Sequence, residues 1–143
     1  MRRRWGAVIV KDDTIISTGY AGSARGFPNC IDLKKCIRQE QGIKLGERYE
    51  LCRSVHAEMN AIINAARKGV ITLNSKMYLY GENASDESVV ENGKPCKMCR
   101  RMIVNAGISE VIVKTSQGVD RYRVSDWIEE AKKYPFKEIE PGY

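Results

Sequence analysis

The sequence predicts an α/β domain built on a mixed sheet, and three observations carry that expectation. Two β-branched, apolar runs, Trp5–Val10 and Thr14–Thr18, flank Lys11-Asp12-Asp13 and read as an antiparallel hairpin. After residue 55, helical and strand patterns alternate, which favours parallel pairing in that half. The chain has 143 residues, 43% hydrophobic and 29% charged, enough for one substantial core, so 1–143 is read as a single domain.

Taken in order, the opening hairpin is followed by Gly19 to Gly26 and then Pro28, which break regularity. The stretch from Cys30 to Cys52 is polar. Asp32 to Gln41 is expected as a helix ended by Gly42, and Gly46 to Leu51 as a second short helical turn. Val55 to Arg67 carries the clearest helical signal. Its alanines give high propensity, and Val55, Met59, Ile62, Ile63 and Ala66 recur at helical spacing as the expected buried face. Lys76 to Tyr80 alternates as a strand does. Glu82 to Lys94 is polar and reads as an exposed excursion or ragged hairpin. Pro95 stands where a first helical residue belongs, and Cys96 to Ala106 continues as a helix stopped by Gly107. Glu110 to Lys114 is a strand. Ser125 is expected to cap a last helix with Val124, Trp127, Ile128 and Ala131 as its apolar face. The tail, 134–143, is expected to be loosely structured.

Composition narrows the function. No run of about 18 apolar residues is present, so no membrane-spanning helix is expected. The basic start, Met1 to Trp5, leads straight into a strand-like run and lacks a signal-peptide pattern. A cytoplasmic protein with five reduced or metal-bound cysteines follows as the expectation. The net charge of +6 would suit an anionic substrate or a nucleic acid. The lysines and arginines are scattered, with a run only at Arg2 to Arg4, so charge by itself does not argue for nucleic-acid binding.

Two short stretches carry the chemistry. Ser54-Val55-His56-Ala57-Glu58 holds the only histidine, and Lys94-Pro95-Cys96-Lys97-Met98-Cys99 holds two thiols. His56, Cys96 and Cys99 make three ligands for tetrahedral Zn²⁺ and leave a fourth position for water, as a catalytic zinc requires. Cysteines three apart in a first helical turn share a face, and the positive helix end favours their thiolates. Zinc lowers the pKa of bound water toward about 7. Glu58 is then a carboxylate suited to carrying that water's protons rather than to ligating the ion. Each piece is weak alone. His-x-Glu opening one helix and Pro-Cys-x-x-Cys opening another, with a strand between, is the signature of zinc-dependent nucleobase deaminases.

On these residues the chain resembles the cytidine deaminase superfamily. His56-Ala57-Glu58-Met59-Asn60-Ala61, Gly6 to Val10 leading to Gly19-Tyr20, Tyr20 to Gly26, Asn29-Cys30, Cys52-Arg53 and Met102 to Ile108 are similar to its deoxycytidylate (dCMP) deaminase branch, bacterial members included. The resemblance implies a three-layer α/β/α fold around a five-stranded mixed sheet and a homo-oligomer, a hexamer or a dimer. It also implies conversion of dCMP and water to dUMP and ammonia, with dCTP and dTTP as effectors. Ala57, Ala21 and Arg25 fall at substrate-binding positions.

The chain departs from that pattern in three places. Ala21 stands where the family commonly has a sugar-contacting Asn, the sequence begins almost on the first strand so that the family's preceding helix is absent or was cut away, and 82–94 is longer than the usual connection. That connection reads as a lid or a tolerated surface loop. Some members hold a second, structural zinc, and Cys30, Cys36 and Cys52 occupy similar places; free thiols are the alternative. Arg25, Arg121 and Arg123 are candidates for a phosphate. The competing functions are deamination of another base or nucleotide, including tRNA adenosine, and a non-catalytic zinc-stabilised binding module.

Overall fold

The computed structural model describes residues 3–44 and 47–133, so the expectation for the tail at 134–143 lies outside the described residues. In chain order the elements are strands β1 (Arg3–Lys11), β2 (Thr14–Tyr20) and β3 (Gly22–Ser23), then short helices α1 (Cys30–Leu33) and α2 (Ile37–Glu40). A 3-10 turn at Tyr49–Leu51 and strand β4 (Ser54–Val55) lead to helix α3 (Ala57–Arg67). Strand β5 (Lys76–Asn83), helix α4 (Lys97–Asn105), strands β6 (Glu110–Thr115) and β7 (Gly118–Arg123) and helix α5 (Val124–Lys132) complete them.

The mixed five-stranded sheet is borne out, in the order β2-β1-β5-β6-β7. The opening hairpin is antiparallel, and β5 and β6 run parallel because α4 connects them. Ala7, Ile9, Met77, Leu79, Val111 and Val113 form the core-facing side of the sheet and pack with residues of α3, α4 and α5.

The helix α3 sits on β2 with almost no space between backbones. A Cβ built on Gly19 would lie 2.3 Å from the Ala61 nitrogen and 2.4 Å from the Ala57 oxygen. The buried Ser17 hydroxyl donates to the Ala61 carbonyl at 2.7 Å. Asn60 and Asn64 donate from their amides to the Tyr20 and Thr18 carbonyls, at 2.7 and 2.8 Å. This contact corrects the expected buried face. Met59 and Ile62 pack half-buried against the core as expected, but the buried residues are Ala57, Glu58, Ala61 and Ala65, whereas Ile63 and Ala66 are exposed and Val55 lies in β4. Bulky residues cannot occupy so close an approach, so the alanine stripe forms the contact.

Other expectations shift for local reasons. The helix over Asp32–Gln41 splits in two, because Lys34 is left-handed (φ 52°) and neither turn buries a residue that would reward a longer helix. Pro95 precedes the cap rather than opening α4, since Cys96 takes the N-cap position. Arg123, not Ser125, caps α5, whose Val124 and Trp127 are buried while Ile128 and Ala131 are exposed. β7 was not anticipated. Its sequence, GVDRYR, is polar because it is an edge strand, closed onto β6 by a two-residue turn at Ser116-Gln117.

The excursion after β5 folds back on itself. Val90 is buried and its amide donates to the Gly81 carbonyl at 2.8 Å, beside a bridge between Glu82 and Val89. Trp5 packs against both Gly81 and Gly93, where an added Cβ would come within 2.6 and 2.8 Å of its ring. The segment is thereby pinned at both ends against β1.

Candidate metal centre and its cavity

Two helix N-termini bring the predicted ligands together. His56 ends the β4 excursion and is the N-cap of α3, Cys96 is the N-cap of α4, and Cys99 lies one turn in, fully buried. The Cys99 amide donates to the Cys96 sulfur at 3.5 Å, so the backbone of the turn itself supports a thiolate. His56 Nδ1 lies 3.5 Å from the Cys96 sulfur and 3.3 Å from the Cys99 sulfur. A tetrahedral ion with Zn–S near 2.3 Å and Zn–N near 2.0–2.1 Å sets a sulfur-to-nitrogen edge of about 3.5 Å. The three donors therefore already stand at the spacing zinc demands. Among the described residues they are the one group of three or more His, Cys, Asp or Glu whose donor atoms lie within 4.8 Å of one another.

The electrostatics fit the same assignment. Cys96 is held down to about 4, first by a hydrogen bond from Cys99 and then by His56, so it is a thiolate at neutral pH. That same hydrogen bond, together with burial, pushes Cys99 up, and the two sulfurs share a proton that a metal would displace. His56 is raised, chiefly by its bond to Cys96. Glu58 is buried in the first turn of α3, and burial raises its carboxyl, with the adjacent backbone amide and His56 opposing the shift. A carboxyl moved toward neutrality in this way can accept and return a proton.

His56, Cys96 and Glu58 line the floor of a cavity of about 610 Å³, a volume in the usual range for small-molecule sites, with Cys99 fully buried beside them. Ala57 and Ala21 line it. The Ala21 amide is committed to the Trp5 carbonyl at 2.9 Å, and its methyl brings no polar atom to the wall. Arg25 does not line the cavity; its guanidinium donates to the Asn64 side-chain carbonyl, whose amide donates to Thr18 of β2. Arg121 and Arg123 line a separate groove between β7 and α5. Cys30, Cys36 and Cys52 all reach the cavity wall as half-buried free thiols, but they form no cluster at metal-ligand spacing among the described residues. Trp5, Arg38, Tyr49 and Lys94 also line the cavity and were missed as site residues. No motif joins them, since they come from a strand, a short helix, a 3-10 turn and a loop. The Tyr49 and His56 rings meet in a T-shaped contact, with centroids 5.7 Å apart.

A three-donor zinc centre on a mixed α/β sheet is the class that fold and floor together define. Residues 1–115 match the family described as the cytidine and deoxycytidylate deaminase zinc-binding region, and the chain belongs to that family. The site is accordingly a zinc site. Deoxycytidylate deaminase of Schizosaccharomyces pombe is 33% identical over 125 residues, covering 87% of this chain and 34% of the relative. The Saccharomyces cerevisiae deoxycytidylate deaminase is 35% identical over 120 residues, covering 84% and 33%. The chain thus spans about a third of the length of these yeast relatives. Among solved structures, the dCMP deaminase of cyanophage S-TIM5 in complex with dCMP and dUMP superposes with a TM-score of 0.55 at 25% identity. It covers 90% of this chain and 74% of that one. Cytidine deaminase from Burkholderia pseudomallei, at 18% identity and a TM-score of 0.52 over 87% and 77% of the two chains, shares the fold.

Proposed function

We propose that this protein is a zinc-dependent hydrolase that deaminates a pyrimidine nucleotide, dCMP and water giving dUMP and ammonia. The observation that carries the reading is the buried carboxylate of Glu58 beside a set of three, not four, zinc donors at the floor of a ligand-sized cavity. Deoxycytidylate deaminases among the relatives support the choice of substrate.

Zinc held by His56, Cys96 and Cys99 would supply a water whose pKa is lowered toward about 7. Glu58, beside the open position, would carry a proton from water to N3 of the cytosine ring. With the water oxygen bonded to C4 and the bond from C4 to the exocyclic nitrogen broken, Glu58 would carry the second water proton to the departing amine. Atoms balance, and the carboxylate is regenerated. The first-turn amide of Ala57, one of the donors that α3 leaves without an intrahelical partner, lines the same floor and suits the ring carbonyl. Ala21 leaves the sugar without an amide partner at its position, so ribose and deoxyribose are to be compared directly.

The reading includes a cytoplasmic location and a homo-oligomer, for which exposed Ile63, Ile71 and Leu73 offer apolar surface. Regulation by dCTP and dTTP rests on the resemblance alone. Among the described residues, no helix is long and apolar enough to cross a membrane. Ammonia release from dCMP, CMP, dCTP, cytidine, guanine and an adenosine-bearing tRNA stem-loop, beside Glu58→Gln, tests the function. Turnover of dCMP that vanishes in the variant is the expected result. Turnover of a different compound alone moves the substrate, and silence from zinc-loaded protein overturns the enzyme.

A further inference from the structure

Three cations line the cavity, Arg3, Arg38 and Lys94, against one carboxylate, that of Glu58 at the floor. They differ in how firmly they are held. Arg3 and Lys94 are exposed, whereas Arg38 is half-buried and braced on two sides. Its guanidinium lies 4.6 Å over the Tyr49 ring, and Nη2 donates to the Lys44 carbonyl at 3.0 Å. Its Nε is buried without a hydrogen-bond partner. A buried, unsatisfied donor costs free energy that an arriving acceptor recovers. Glu50, the neighbouring acid, is paired with Arg48 instead.

Arg38 shares its cavity with the zinc ligand His56, and Tyr49 touches both. The Tyr49 ring meets the imidazole at 81° with centroids 5.7 Å apart, and its face lies under the guanidinium. Arg38 is thus two ring contacts from the zinc ligands, along the cavity wall. In a nucleoside monophosphate, the base ring and the sugar separate the reacting amine from the phosphate. A planar guanidinium with a spare donor is the group best suited to phosphate oxygens.

We infer that Arg38 binds the 5′-phosphate of the nucleotide and sets the preference for a monophosphate over the bare nucleoside, with Arg3 and Lys94 adding less specific attraction. The inference rests on the floor being the deaminase site, so its test reads binding rather than turnover. Calorimetry on zinc-loaded protein would compare dUMP with deoxyuridine in the wild type, Arg38→Gln and Arg38→Lys, with melting temperatures alongside. The wild type is expected to prefer dUMP. Arg38→Gln should weaken dUMP about 10- to 100-fold while leaving deoxyuridine unchanged, and Arg38→Lys should recover part of the loss. Equal binding of the two ligands by the wild type, failure of both to bind, or an equal loss of both in Arg38→Gln would overturn it. Selective dUMP binding that Arg38→Gln abolishes, in a protein that releases no ammonia, would instead retire the catalytic reading and leave the phosphate site standing.

Discussion

The floor of the cavity and its outer wall are built by opposite means. His56, Glu58, Cys96 and Cys99 sit on the first turns of α3 and α4, which are packed into the core through Ala57, Ala61, Ala65 and Ile103. Cys30, Cys36, Arg38 and Tyr49 sit on single turns that bury no residue at all. Under the proposed function, the chemistry would then sit on rigid elements, and recognition on segments whose sequence can change without disturbing the sheet. The contrast predicts that substitutions in the floor affect metal and turnover together, while those in the wall affect selectivity.

The largest effect should come from the ligands. Cys99→Ala removes a donor and opens a cavity at a fully buried position, so zinc content should fall from one per chain to near zero and the melting temperature with it. Elemental analysis beside thermal unfolding measures both; retained zinc would break the assignment. Glu58→Gln comes next and separates the two roles of the floor. Turnover should drop by about 10²–10⁴-fold, the usual contribution of a general acid–base, with zinc content unchanged. A variant that kept its rate would return Glu58 to a packing role.

The floor was legible in the sequence and the wall was not, for one physical reason. His56-x-Glu58 and Cys96-x-x-Cys99 are local patterns, because helix geometry converts their spacing directly into a shared face. The hairpin, α3, α4 and the parallel β5–β6 pair were legible on the same ground of local periodicity. Arg38 and Tyr49 reach the cavity only through the turns of 30–52, where no periodic pattern fixes direction. The edge strand β7 was hidden because one exposed strand needs no apolar alternation. On α3 the bulky residues misled, since the tightest contact in the fold selects for small ones.

That contact supplies the third prediction, a test of how rigid the floor is. Gly19→Ala drives a methyl into the backbone of α3 at Ala61, which cannot yield without shifting the helix that carries His56 and Glu58. A loss of about 3 kcal/mol is expected, roughly 10 °C in melting temperature, together with weaker zinc binding. Ser17→Ala touches the same helix more gently. It leaves the Ala61 carbonyl without its donor and should cost about 1–2 kcal/mol, with zinc and turnover retained. If Ser17→Ala lost zinc as readily as Gly19→Ala, the floor would be far less firmly held than its packing indicates.

The smallest effect belongs to the wall's thiols. Cys30, Cys36 and Cys52 line one cavity, yet their sulfurs do not converge at ligand spacing with one another or with a nearby carboxylate among the described residues. Each is half-buried on a turn with little packing, so a sulfur-to-oxygen exchange removes few contacts. The triple Cys30→Ser, Cys36→Ser, Cys52→Ser variant should keep one zinc per chain and melt within a few degrees of the wild type. A wild-type content of two zinc ions falling to one in the triple variant would mean that metal draws these turns together. The wall would then be as firmly organised as the floor, and the contrast between the two would disappear.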